Sequence, residues 1–161
     1  SLLFELLSFQ DGLGGGPGEA ARFFFDDLAQ ANGASAVAVL QADNLAPSDE
    51  PHLSLGTGVS HGLLVGVQEV STSKRRTAEW AGPRGDLVLI HLASLRYPEH
   101  GTDLLISLNT AFEARTGAGG GEGGGGELAG SVPEEVLSSA GALFRRVLRT
   151  FEVQNWVTLG G

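Results

Sequence analysis

Leu87-Val88-Leu89-Ile90-His91-Leu92-Ala93-Ser94-Leu95 and, beyond the break at Tyr97-Pro98-Glu99-His100-Gly101-Thr102, Leu104-Leu105-Ile106-Ser107-Leu108 decide the fold class of this chain. Both runs are nearly continuously apolar, the pattern of strands covered on two faces rather than strands with one wet face. The link between them is too short for a crossover, so the two strands pair antiparallel. An antiparallel sheet whose strands are buried on both faces needs helices on both sides, and this places the chain in the α+β class.

Working outward, Leu63–Val70 reads as a further strand, and Ser35–Ala42, with Val37 and Val39, as another. His52–Leu55 fits a short extended piece after the prolines at 47 and 51. Towards the C-terminus, Val136, Leu137, Ala140, Phe144, Val147, Leu148 and Phe151 recur at helical spacing. Glu134 and Glu135 at its start and Arg145, Arg146 and Arg149 near its end suit the two ends of the helix dipole. Ser131 and Glu134 are spaced as a capping box. Glu19–Leu28 favours a second helix, with Ala20, Ala21, Phe24, Phe25 and Leu28 on one face and Asn32-Gly33 as its stop, although Ala21, Phe23 and Phe25 also fit an alternating strand. Leu2, Leu3, Phe4, Leu6, Leu7 and Phe9 also fall at helical spacings and predict a helix at the very start. From Gly119 to Gly126 every residue except Glu122 is Gly, so 117–130 is expected to be a flexible loop.

The 161 residues suit one domain, and the chain carries 10 Lys and Arg against 19 Asp and Glu, a formal charge of −9. That balance argues against gripping nucleic acid phosphates or an anionic membrane surface, and favours a basic protein partner. The absence of Cys removes disulfides, thiolate metal sites and thiol nucleophiles. There is no Met and the first residue is Ser1, so the domain is expected to be N-terminally incomplete.

Three motifs invite chemistry that their context does not support. Gly58-Val59-Ser60-His61-Gly62 spells GxSxG, with Asp86 and His91 or His100 downstream, but the five residues precede a strand instead of turning from a strand into a helix. Gly119, Gly121 and Gly124 satisfy GxGxxG only because any glycine tract does. The four His residues at 52, 61, 91 and 100 show no metal-binding spacing, and His91 reads as a satisfied core or edge residue. Lys74-Arg75-Arg76 reads as a solvated loop. What remains is acidity, with Glu5 on the expected first helix and Asp26-Asp27 beside the Phe cluster as candidate partner-binding residues.

Several strings taken together resemble one family. Ser1-Leu2-Leu3-Phe4-Glu5-Leu6-Leu7, Ala20-Ala21-Arg22-Phe23-Phe24-Phe25-Asp26-Asp27-Leu28, Leu92-Ala93-Ser94-Leu95-Arg96 and Gly101-Thr102-Asp103-Leu104-Leu105-Ile106-Ser107-Leu108-Asn109 are similar, in order and spacing, to the Ran guanine-nucleotide release factor (Mog) family. The stretch Leu143–Val153 resembles that family's last helix. The resemblance implies an α/β/α sandwich around an antiparallel sheet, a fold shared with the PsbP subunit of photosystem II. It also implies a non-enzymatic, cofactor-free protein, expected as a monomer in nucleus and cytoplasm, that binds the GTPase Ran and promotes nucleotide release. By the same resemblance, Glu5, Asp26 and Asp27 match acidic positions that meet Ran, Ser8 replaces a second early acidic residue, and an N-terminal hairpin lies upstream. A PsbP-like structural subunit of the thylakoid lumen is the alternative the fold allows.

Overall fold

The computed structural model describes residues 1–13, 18–45, 60–70, 86–113 and 125–153. Its centre is a five-stranded, wholly antiparallel sheet in the order β1-β5-β4-β3-β2. The strands are β1 (Leu2–Ser8), β2 (Ala34–Asn44), β3 (Ser60–Val70), β4 (Asp86–Tyr97) and β5 (Thr102–Phe112). The apolar runs that decided the class are β4 and the core of β5, joined by a 3-10 turn at Pro98–His100 and paired from Leu87↔Phe112 to Tyr97↔Thr102.

Helix α1 (Glu19–Asn32) covers one face and α3 (Glu134–Thr150) the other, as the double burial of β4 required. On the α1 side Ala21, Phe24 and Phe25 pack with Leu64, Ile90, Leu92 and Leu105. On the α3 side Ala140, Phe144 and Leu148 pack with Val67, Leu89, Ala93, Leu95, Leu104 and Ile106. The two sets alternate along each strand, because successive side chains point to opposite faces. Gly66 lets α1 sit close: a Cβ there would lie 2.5 Å from the Phe25 ring and 3.0 Å from the Ala38 carbonyl oxygen. Gly33, at φ 63°, ends α1 and donates its N–H back to Gln30.

Three sequence expectations are corrected. The first segment is the edge strand β1, not a helix. It pairs with β5 from Leu2↔Leu108 to Ser8↔Thr102. A short apolar run is ambiguous in period, and seven residues make a poor isolated helix, so the free hydrogen-bonding edge of β5 decides the matter. The tail of the supposed loop over 117–130 is helix α2 (Gly125–Gly130), which lies against β2 and β3 with Leu128 packed on the core. There is no capping box either: the N-cap of α3 is Pro133, without a side-chain hydrogen bond. Ser131 instead donates its Oγ–H to the Leu128 carbonyl at 2.6 Å, because α2 ends just before it and leaves that acceptor open. Ser60, His61 and Gly62 open β3, so no strand-to-helix elbow forms at Ser60. His52–Leu55, Lys74–Arg76 and 117–124 lie outside the described residues.

Candidate functional site

The register places all three acidic candidates on the α1 side of the molecule. Glu5 stands directly opposite Leu105, a member of the α1-side core, so its side chain shares that face. It is exposed, as is Leu3 two residues earlier on the same face. Asp26 and Asp27 lie on the outer side of α1, the turn after Phe23. Phe23 is 44% exposed and rests edge-on against Phe24, with ring centroids 5.3 Å apart. The three carboxylates do not form one cluster. Helix α1 packs over β3, β2 and β4, and β5 lies between those strands and β1. The result is an acidic surface in two levels, Glu5 at the sheet edge and Asp26-Asp27 on the outer side of the helix, with Leu3 and Phe23 exposed as well.

A buried ion pair stiffens the ground between the levels. Arg96 and Asp103 are cross-strand partners on β4 and β5, with Nε to Oδ1 at 3.0 Å, and Asp103 is fully buried. The other Asp103 oxygen accepts the Gln10 backbone N–H at 2.9 Å. Arg96 donates to the carbonyls of Gln10 and Leu13 at 2.5 and 3.2 Å, and its guanidinium lies 4.4 Å from the centre of the Phe9 ring. The pair thus clamps the chain just after β1, at Gln10 and Leu13. Sequence reading missed this pair. The signal was present, because 96 and 103 sit symmetrically about the turn, but only a known register turns that symmetry into a contact.

The sequence strings agree with a family comparison. A family model described as Ran-interacting Mog1 protein matches residues 1–111. The chain belongs to the Mog1 family. Among curated proteins it is similar to the "Ran guanine nucleotide release factor" of Bos taurus, 34% identical over 110 residues, which is 68% of this chain and 53% of that protein. The chain therefore spans about half the length of this relative. Among solved structures it is similar to a point mutant of protein Mog1 at 26% identity and a TM-score of 0.42, covering 70% of this chain and 50% of the other. The Mog1 match takes in β1 to β4, α1 and all of β5 except Phe112, and so every acidic candidate and the Arg96–Asp103 pair.

Proposed function

We propose that this protein binds the GTPase Ran and promotes release of its guanine nucleotide, acting by binding and not by covalent chemistry. The observation that carries the reading is membership of a family described as Ran-interacting, over the segment that holds the exposed carboxylates. The relative's name, a Ran guanine nucleotide release factor, supports the second half of it. A monomer working in nucleus and cytoplasm suits such a partner, and the charge of −9 suits a basic docking surface better than nucleic acid or an anionic membrane. The family match favours this reading over a structural subunit of the thylakoid lumen.

The mechanism is linkage. A partner that holds nucleotide-free Ran more tightly than nucleotide-bound Ran must weaken nucleotide affinity by the same factor, because the coupling free energy is reciprocal. In this protein Glu5, Asp26 and Asp27 steer and orient the encounter, while Phe23 and Leu3 offer the apolar contact that charges at a rim do not supply. Capture of Ran in its GTP, GDP and nucleotide-free states tests the proposal. Preference for the nucleotide-free form is expected; equal capture of all three, or of none, would sink it.

A further inference from the structure

Helix α1 turns two of its three consecutive aromatic rings into the core and leaves the third outside. Phe24 and Phe25 are 3% and 0% exposed, whereas Phe23 is exposed at the middle of the outer face. A helix repeats every 3.6 residues, so Glu19, one turn earlier, and Asp26 and Asp27, one turn later, share that face with it, and all three are exposed. Residues three and four apart on a helix have Cβ atoms about 5–6 Å apart. Helical side chains also lean towards the N-terminus, which carries the two aspartates back over the turn that holds Phe23.

A lone exposed apolar side chain needs no explanation, but this combination differs from an ordinary solvated face. Phe and Asp both rank low in helix propensity, so helix stability does not account for them at three exposed positions. Neither Asp26 nor Asp27 makes an ion pair or a side-chain hydrogen bond among the described residues, and Arg22, exposed on the flank one turn before Asp26, does not bridge to them. The last turn of α1 holds no basic residue, so the negative end of its dipole adds to the field of the two carboxylates. The outer face of α1 thus offers an aromatic ring beside unpaired negative charge, which is complementary to a cation with an apolar stem.

On the reading that this protein binds Ran, we propose that Phe23, Asp26 and Asp27 together seat one lysine or arginine side chain of Ran, its cation over the Phe23 ring and its charge balanced by the aspartates. The face of an aromatic ring is electrostatically negative and attracts a cation within about 6 Å of its centroid. The ring also keeps water from one side of the cation, which strengthens its attraction to the carboxylates. The carboxylates govern how often the cation arrives, and the ring how long it stays. Phe23 therefore acts through its π face, and an aliphatic side chain of similar size does not replace it.

The test is stopped-flow binding of nucleotide-free Ran to the full chain and to Phe23→Leu, Phe23→Trp and the double change Asp26→Asn with Asp27→Asn. Phe23→Leu keeps an apolar side chain but loses the ring, and is expected to weaken binding about tenfold, chiefly through faster dissociation. Phe23→Trp, with the better cation-binding ring, should bind at least as tightly as the parent. The aspartate pair should slow association, and all three changes together should weaken binding by less than the product of the separate losses, because they act on one cation. Circular dichroism of each variant should match the parent, since these side chains are exposed. A parent that fails to bind Ran would remove the functional reading and this contact with it. A parent that binds, with Phe23→Leu dissociating no faster, Phe23→Trp weakened as much as Phe23→Leu, or losses that simply multiply, would overturn this contact alone.

Discussion

Arg96 and Asp103 show at the residue scale how this fold spends a buried charge on position. Removing water from an ion pair costs more than the bare attraction returns unless the remaining hydrogen-bonding groups are satisfied, and here backbone groups of Gln10 and Leu13 complete the set. Arg96→Met leaves Asp103 buried and uncompensated, and is expected to cost about 3–5 kcal/mol in urea unfolding. Arg96→Met with Asp103→Leu should cost clearly less than the sum of the two single changes, because the second removes the stranded charge. His91 is the other buried group with a measurable consequence. Above pH 6.5 it is neutral in both states, so stability is full there. As pH falls the unfolded chain takes up a proton that the folded ring, with a pKa of about 4 beside the Arg145 cation, refuses. Stability should therefore fall between pH 6.5 and 4 and level off below, by on the order of 2 kcal/mol once solvent reaching the ring is allowed for. Subtracting the urea-derived profile of His91→Phe from that of the parent isolates this contribution. A flat difference would show that the ring is not held neutral.

At the scale of elements, the contact between α1 and β3 is set by what β3 lacks. Gly66 faces the Phe25 ring so closely that any Cβ forces either the ring or the helix to move. Gly66→Ala is expected to destabilise by about 1–3 kcal/mol, the usual cost of overpacking, and Gly66→Val by more, as read from thermal melts. Strand β1 shows the converse, an element whose packing is incomplete. It pairs on one side with β5, while Leu2, Leu3, Phe4 and Leu6 are each at least 41% exposed. Phe4 is partly sheltered by stacking on Phe151 at 5.6 Å. An apolar edge of this kind is a template for pairing with other chains. Leu2→Lys with Leu6→Lys should therefore reduce concentration-dependent association on size exclusion, with the melting temperature little changed because neither side chain is buried.

For the whole molecule, the proposed binding of Ran would use the acidic excess through the field it presents to that partner. Glu5→Lys with Asp27→Lys is expected to slow association with Ran more than it speeds dissociation, since rim charges chiefly steer encounter. The deficit should shrink as salt rises, given a Debye length of about 8 Å at physiological ionic strength. Stopped-flow association rates across a salt series check this, and rates equal to the parent at low salt would remove these two residues from the docking surface.

The sequence by itself determined the class of fold and the family. Two long apolar runs with a short link require an antiparallel sheet covered on both faces, and α1 and α3 announce themselves because their apolar faces repeat at the helical period over three turns or more. Asp26 and Asp27 were legible as exposed, since charges next to a buried aromatic stripe must lie on the wet side of a helix. What β1 becomes was not legible, because seven mostly apolar residues satisfy either period and the choice belongs to the unpaired edge of β5, far away in sequence. The helix at Gly125–Gly130 is likewise a tertiary outcome, as glycine has little helical preference of its own and α2 is held by its contact with β2 and β3. The Arg96–Asp103 clamp depends on register and on the seating of the chain after β1. It arises only when distant segments meet, and no local pattern in the chain records such a meeting.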